Sequence, residues 1–264
     1  MTRGTTGRAL ATWYEIHGRH ELPWRAARDP WLVLVSEVML HQTQAPRVAQ
    51  VYDAFVTRFP TPAATADATP GEVIAEWGRL GYPRRARWLW DAARRIDAEG
   101  WPDDLSELPG VGRYTAAAVA AQTADQDVIG IEVNIRRVCE RVRGTRLSTN
   151  KAEAAATSIA APLRGRDRLL ALMDLGATVC TARAPACDRC PIARSCAAHG
   201  PLAEETRHRQ AAYQGSFRQR RGVVLAHLRA GPTRTVELDG EALASLLDDG
   251  LAEVTRGRAH LPRG

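Results

Sequence analysis

The sequence predicts an all-α protein over most of its length. Apolar residues from Val48 to Phe59 recur at helical spacing, and Pro60 ends that helix. Between Ala9 and Cys180 no run of alternating polar and apolar residues indicates a strand. The chain has 264 residues, enough for one large domain or two moderate ones.

The other helices are predicted wherever a helical pattern of apolar residues is bounded by Gly, Pro or a capping residue. In chain order they cover 31–42, 70–77, 84–98, 114–122, 134–142, 152–161 and 167–177. After about Pro201 the chain becomes rich in basic residues, among them Arg207, His208 and Arg209. Helices over 222–229 and 241–247 and an alternating segment over 251–261 follow. This order resembles a small winged-helix-like C-terminal module.

Composition and charge favour a protein with a polyanionic partner and argue against a membrane-spanning or secreted protein. With 36 Lys and Arg against 30 Asp and Glu, the net charge is +6 and suggests a polyanionic partner. No apolar run is long enough to span a membrane, so no membrane partner is expected. The N-terminus lacks an apolar signal-peptide core, which favours the cytoplasm and, for a basic protein, the nucleoid. In that compartment the five cysteines are expected to be metal ligands or thiols rather than disulfides.

The strongest motif is a set of four cysteines within 17 residues: Cys180, Cys187, Cys190 and Cys196. Four thiolates in so short a loop can surround one soft metal centre. Both zinc and an iron–sulfur cluster accept this donor set, and the donor type alone does not separate them. Cys139 lies outside the set and is expected to be a small buried apolar residue.

A second motif runs from Leu108 to Thr115 and contains Gly110 and Gly112 before an Ala-rich helix. Glycines at such a turn let backbone N–H groups approach a phosphate, and the helix N-terminus adds partial positive charge. Arg113 follows directly. Gly-x-Gly alone is more often just a turn, but in this Leu-Pro-Gly-Val-Gly-Arg setting the segment looks like the phosphate-binding hairpin of a helix-hairpin-helix.

A third pattern, Leu22-Pro-Trp-Arg25 followed by Ser36-Glu-Val-Met-Leu-His-Gln-Thr43, completes a family resemblance. Together with the hairpin and the cysteine loop, it is similar to the MutY-type adenine DNA glycosylases of the helix-hairpin-helix and endonuclease III superfamily. The resemblance extends from about residue 8 to residue 200, and the short Arg-rich tail looks like that of actinobacterial members.

This resemblance implies a fold, a cofactor and a substrate. A six-helix barrel domain with the helix-hairpin-helix is expected over 27–131, and a cluster domain over 1–26 and 132–200. A basic linker and the small C-terminal module occupy 201–264. The cysteines would hold a [4Fe-4S] cluster, and the partner would be double-stranded DNA with a mispaired or damaged base. The protein is expected to act as a monomer.

Two carboxylates suit the hydrolysis of an N-glycosidic bond, which needs an acid for the leaving base and negative charge near the developing sugar cation. Glu37 lies among apolar residues, which would raise its pKa, and by resemblance it is the general acid. Glu132 occupies the position of the family's aspartate, and Asn134 matches its helix-starting asparagine. Because Glu is one methylene longer than Asp, its carboxylate is expected to be displaced by ~1.5 Å unless the backbone adjusts.

Tyr114 falls where bifunctional relatives carry a lysine that forms a Schiff base. A phenol cannot form an imine, and Lys151, the only lysine, is far along the chain. Efficient lyase activity through an imine is therefore not expected.

The remaining candidate residues would contact the base or the DNA: Trp24, Arg25, His41, Gln42, Tyr82, Pro83, Arg84, Gly110, Gly112, Arg113 and Leu170. Pro83 replaces a tyrosine that wedges beside the oxidised guanine in the family, and Leu170 replaces a glutamine that touches adenine. Arg84, Arg85 and Arg87 follow the wedge turn and are expected to meet phosphate.

Three functions stay open at this point. The first is removal of adenine mispaired with 8-oxoguanine or guanine. The second is the same reaction on hypoxanthine or on mismatched thymine or uracil. The third is a catalytically silent protein that binds lesions or DNA structures.

Overall fold

A computed structural model of the chain describes residues 3–203, 205 and 212–264, so Arg207, His208 and Arg209 lie outside it. In chain order the helices are α1 (Arg3–His17), α2 (Pro30–Leu40), α3 (Ala45–Arg58), α4 (Pro62–Ala66), α5 (Pro70–Glu76), α6 (Arg84–Glu99), α7 (Arg113–Ala124), α8 (Val133–Arg143), α9 (Thr149–Ala160), α10 (Gly165–Thr178), α11 (Phe217–Ala230) and α12 (Gly240–Asp248). Three short strands follow α11: β1 (Thr233–Arg234), β2 (Glu253–Thr255) and β3 (Arg258–His260). The predicted all-α fold is confirmed, since the described strands all lie in the tail.

The chain divides into two compact units, each made of two separate stretches. The first contains the described residues of Met1–Glu37 and Val111–Arg207, and the second those of Val38–Gly110 and His208–Gly264. The predicted division at 27–131, 132–200 and 201–264 stays a prediction.

In the first unit, α10 packs against α7, α8, α9 and α1, and α1 also packs against α9. The core between them includes the fully buried side chains Leu10, Ile135, Leu169, Leu172 and Leu175. Burial of apolar surface of this kind contributes most of the favourable free energy of folding. The core fixes the helix starts that carry the polar side chains described below.

In the second unit, α4 and α5 pack on α6. The rings of Phe55 and Trp77 meet edge to face at 6.0 Å, and both side chains are fully buried. A capping box opens α5, where the Thr69 hydroxyl accepts from the Glu72 backbone N–H while the Glu72 carboxylate accepts from the Thr69 backbone N–H. Because both capping residues lie next to the helix start, the sequence alone could predict where α5 begins.

The tail folds as the predicted winged-helix-like module. Helix α11 packs against α12, and the strands form an antiparallel sheet in the order β1–β3–β2. Strands β2 and β3 make a hairpin closed by Arg256 and Gly257. We call this hairpin the wing.

Most predicted helices agree with the structure within a few residues, but α1 and α4 were not predicted. Leu10 and Tyr14 of α1 are buried. The helix also contains threonines and glycines, which lower its helix propensity, so its formation depends on packing against α9 and α10. Among the described residues no helix is long and apolar enough to cross a membrane.

Candidate active site

A buried carboxylic acid lies near the end of the N-terminal stretch of the first unit. Glu37 is on α2, with 4% of its surface exposed, and its Oε1 accepts a hydrogen bond from Gln122 Nε2 at 2.7 Å. Burial raises the pKa of Glu37, and hydrogen bonds from Gln122 and Tyr114 and the charge of Arg25 oppose this only partly. The side chain can therefore retain a proton nearer neutrality than an exposed glutamate.

Tyr114 stands between two carboxylates. It lies in the first turn of α7, and its hydroxyl hydrogen-bonds Glu37. Burial of the hydroxyl, followed by the charges of Glu37 and Glu132, raises the pKa of Tyr114 well above its usual value of 10. The phenol is thus a neutral hydrogen-bond donor, and the charges of both acids act on its pKa.

Glu132 is the N-cap of α8. Its Oε2 accepts from the Asn134 backbone N–H at 2.7 Å and from Asn134 Nδ2 at 2.9 Å, and its Oε1 accepts from the Ile135 N–H at 2.7 Å. The longer side chain folds back onto the helix start, so the extra methylene does not carry the carboxylate away from these amides. Burial raises the pKa of Glu132, while the two backbone hydrogen bonds act in the opposite direction.

Arg137 ties the Glu132 turn to the cysteine loop. It donates to Asn134 Oδ1 at 2.5 Å, to the Gly176 carbonyl at 2.6 Å and to the Cys180 carbonyl at 2.6 Å. Asn134 is therefore held from both sides, by Glu132 and by Arg137. No motif of the sequence pointed to Arg137 as a residue of the site.

Arg25, whose charge acts on Glu37, belongs to a buried ion cluster. Arg25 and Arg19 both donate to Asp174 Oδ1 at 2.6 Å, and Asp174 is fully buried. One nitrogen of the Arg25 guanidinium, Nη1, is buried and has no hydrogen-bond partner among the described residues. Trp24 beside it is buried. A buried donor without a partner is costly, so Nη1 is available to an acceptor that enters the site.

The two glycines of the hairpin, Gly110 and Gly112, differ in their backbone conformation and in the space around them. At Gly110 φ is +75°, and a Cβ would lie 2.8 Å from Trp88 Cβ, so a side chain is excluded there. Gly112 is the N-cap of α7, has no side-chain cap, and has open space around its Cβ position. Its exposed neighbour Arg113 pairs with Glu153 at 2.7 Å. The start of α7 is left accessible to an anion.

The predicted wedge turn lies in the second unit. Tyr82 has a φ of +47° and is 41% exposed, and Pro83 precedes α6. Arg84 is also exposed; it lies 3.5 Å from Asp249 and over the Trp88 ring. Tyr82 and Arg84 therefore lie at the surface of this unit, and their predicted contact with DNA stays a prediction.

The environment of Arg85 corrects the prediction that this residue meets phosphate. Instead of facing solvent and phosphate, its guanidinium is buried and donates to the carbonyls of Val38, Met39, His41 and Gly81 and to Thr43 Oγ1. Burial lowers the pKa of Arg85 to about 10. Arg87 likewise binds Asp91 and the Gly250 carbonyl. Both guanidinium groups therefore bind other residues of the same unit in this structure.

Three further candidate residues have distinct environments. Burial, followed by the charge of Arg85, lowers the pKa of His41, which makes it neutral at physiological pH. Gln42 is exposed, with a φ of +55°. Leu170 is 2% exposed within the core of the first unit. Its side chain packs in this core, and its predicted contact with a base stays a prediction.

Two functional contacts were missed by sequence reasoning. Gln122 follows Tyr114 by two helical turns, so the spacing alone puts both on one face of α7. Asp174 lies in a stretch that resembles the family, Met173-Asp-Leu-Gly-Ala177, but its pairing with two arginines from the N-terminal segment depends on the fold.

The four cysteines of the predicted metal site surround one cavity. No three His, Cys, Asp or Glu side chains of the described residues come close enough to hold a single ion. Four thiolates around one cavity are a donor set that an iron–sulfur cluster accepts, with one thiolate for each iron. Arg141 donates to Cys180 Sγ at 3.4 Å and to both carboxylate oxygens of Glu205.

Comparisons with known proteins agree with this geometry. Residues 35–162 match the model of the HhH-GPD superfamily base excision DNA repair proteins, and residues 180–196 match the iron–sulfur binding domain of endonuclease III. An adenine DNA glycosylase of Mycobacterium tuberculosis is 42% identical, covering 96% of this chain and 92% of its own. A thymine-DNA glycosylase of Aeropyrum pernix is 33% identical over 72% of this chain and 92% of its own.

A solved structure of a thermostable thymine-DNA glycosylase has a TM-score of 0.67 and 27% identity, covering 75% of this chain and 96% of that one. The chain therefore belongs to the HhH-GPD superfamily of base excision DNA repair proteins and, within it, to the family of the adenine DNA glycosylases. The predicted fold class and the [4Fe-4S] cofactor are confirmed, and the assignment of Cys180, Cys187, Cys190 and Cys196 as its ligands stays a prediction.

Proposed function

We propose that this protein is a monofunctional glycosylase that hydrolyses the N-glycosidic bond of adenine mispaired with 8-oxoguanine or guanine in double-stranded DNA. The observation that carries the proposal is Tyr114, which bonds to Glu37 and is electrostatically coupled to Glu132. It supports a single site with one acid that keeps its proton and a second carboxylate that is held by backbone N–H groups.

In this mechanism Glu37 donates a proton to the purine as the base leaves. Its buried position keeps that proton available, and Gln122 and Tyr114 fix the carboxyl group. Tyr114 remains a neutral donor throughout.

Glu132 faces the developing positive charge on the sugar. Three hydrogen bonds from Asn134 and Ile135 fix its carboxylate, so its charge needs no reorganisation when the cation forms. Water then completes the hydrolysis.

The base and the strand would be held by further residues of the chain. Arg25 offers its unpartnered Nη1 to the extruded base beside Trp24. Gly110, Gly112 and Arg113 meet a phosphate at the hairpin. His41, Gln42, Tyr82, Pro83 and Arg84 contact the strand at the wedge.

We also propose that the enzyme lacks lyase activity through an imine. The phenol at Tyr114 cannot form a Schiff base, and Lys151 is the only lysine of the chain. Borohydride should therefore trap no covalent complex between enzyme and DNA.

A panel of duplexes with defined mispairs tests the proposal. Each duplex is incubated with the protein and then treated with alkali, which breaks the strand wherever a base is missing. We expect breaks at adenine opposite 8-oxoguanine and guanine, and none before alkali. Breaks at mismatched thymine would instead favour the activity in the name of the Aeropyrum pernix relative. Binding without breaks would contradict catalysis.

A further inference from the structure

Three arginines are exposed on the wing of the C-terminal module and the strand beside it. In the antiparallel pairing of β1 with β3, Arg234 lies directly opposite Arg258. Arg256 lies at the tip of the wing, where Thr255 pairs with Arg258 across a two-residue turn. All three are exposed.

Arginine at positions 234, 256 and 258 is expected to lower the folding stability of the free protein. Like charges directly opposite each other in an antiparallel pair repel. Arg256 has a φ of +50° and Gly257 a φ of +74°, a turn in which Asn followed by Gly is preferred because the first residue must adopt the left-handed region. Substitution of any of these arginines by a neutral residue that suits its position should stabilise the free protein.

The positive charge of the wing is not neutralised within the described residues. Arg256 and Arg258 have no carboxylate within ion-pair distance there, and Arg234 has only Glu237 at 4.0 Å. Arg220 of the same module shows the contrast, since Asp239 and Glu241 bind it at 3.0 and 2.5 Å. The wing and the strand beside it therefore carry positive charge that carboxylates of the described residues leave largely unneutralised.

We propose that the wing arginines Arg234, Arg256 and Arg258 bind phosphates of duplex DNA, as a contact separate from the catalytic residues. This inference takes its DNA partner from the proposed function. Guanidinium groups match phosphate in geometry and charge. The exposed face of α12 carries Glu241 and Asp248 instead of basic residues, so the module does not read bases through this helix. The wing contact is therefore independent of sequence.

The test is equilibrium binding of the full chain to an undamaged, fluorescein-labelled duplex over a series of salt concentrations. The variant R234Q/R256N/R258Q removes the three charges, and R256N creates the preferred Asn-Gly turn. The dependence of log K on log salt should become shallower by about 0.9 for each phosphate that the variant no longer neutralises. The control R220Q, from a paired arginine of the same module, should keep the wild-type slope.

Thermal melting without DNA shows that the variant is folded, and its midpoint should lie above that of the wild type. Base release at saturating enzyme should be unchanged. If the triple variant keeps the wild-type slope and affinity, the wing proposal is wrong. A wild type that releases no base from any mispair would overturn the proposed function, whereas the binding slopes on undamaged DNA would still decide the wing.

Discussion

Glu37 and Glu132 are both glutamates, but their carboxyl groups lie in different environments. Glu37 is buried on the side of a helix and bonded to two neutral donors, Gln122 and Tyr114. Glu132 caps a helix and accepts backbone N–H groups, which favour the charged form. Burial raises the pKa of both, but only at Glu132 do backbone N–H groups oppose that rise.

Burial of Glu37 makes its substitution informative for stability. Its folded-state pKa is raised, so the stability that it contributes is present at low pH and lost as the pH rises through that pKa. Glu37→Gln removes the ionisation while keeping an amide oxygen for Gln122. We expect the variant to melt above the wild type at pH 8, with a difference that shrinks toward pH 4.

Thermal melts across this pH range check the prediction, with Glu99→Gln as the exposed control. A difference between Glu37→Gln and wild type that does not change with pH would contradict it.

Glu132 allows a second prediction at this scale. Asp is a preferred N-cap and can still accept from the Asn134 and Ile135 amides. We therefore expect Glu132→Asp to keep or raise the single-turnover rate of base release. Glu132→Ala should lose the activity and ~1 kcal/mol of folding stability with the cap. An inactive but folded Glu132→Asp enzyme would show that the site requires the longer side chain.

At the scale of secondary structure, the sequence predicted helices best where local chemistry marks their ends. The Thr69–Glu72 capping box and the left-handed Gly144 after α8 are such marks. Helix α1 has weaker marks and forms through tertiary packing. Arg85 could not be assigned from sequence either, because an arginine in a basic run is usually exposed and four of its acceptors, on Val38, Met39, His41 and Thr43, lie more than 40 positions away.

Arg85 is expected to stabilise the junction between the end of α2 and the wedge turn. Arg85→Met should leave several buried carbonyl groups without donors and lower the free energy of unfolding by roughly 2 kcal/mol or more. Urea unfolding measures this change. Arg95→Met, at a partly exposed arginine on the same helix whose ion pairs are with exposed glutamates, is the control and should change stability little. Equal effects of the two substitutions would argue against a buried clamp at Arg85.

At the scale of the whole molecule, the motif order located the polar residues of the site, but the chain had to fold before their partners were known. The Glu37–Gln122 bond joins residues 85 positions apart, and Arg25–Asp174 joins residues 149 apart. Short-range patterns cannot specify such pairs. The cysteine loop could be predicted because all four ligands are local.

The iron–sulfur site gives a prediction for the intact protein. The purified protein should be yellow-brown, with a broad visible absorption band and comparable amounts of iron and sulfide. Cys190→Ser should lose colour and iron, whereas Cys139→Ser should retain both, because Cys139 is buried away from the cavity that the other four cysteines line. A colourless protein that contains zinc would contradict the assignment.

The most direct test of the two-carboxylate site is single-turnover release of adenine opposite 8-oxoguanine by Glu37→Gln. We predict a rate at least ~100-fold below that of the wild type, with DNA affinity within a few-fold, because the acid is removed and the fold is kept. Adenine release at the wild-type rate by Glu37→Gln would contradict the role of Glu37 as the acid.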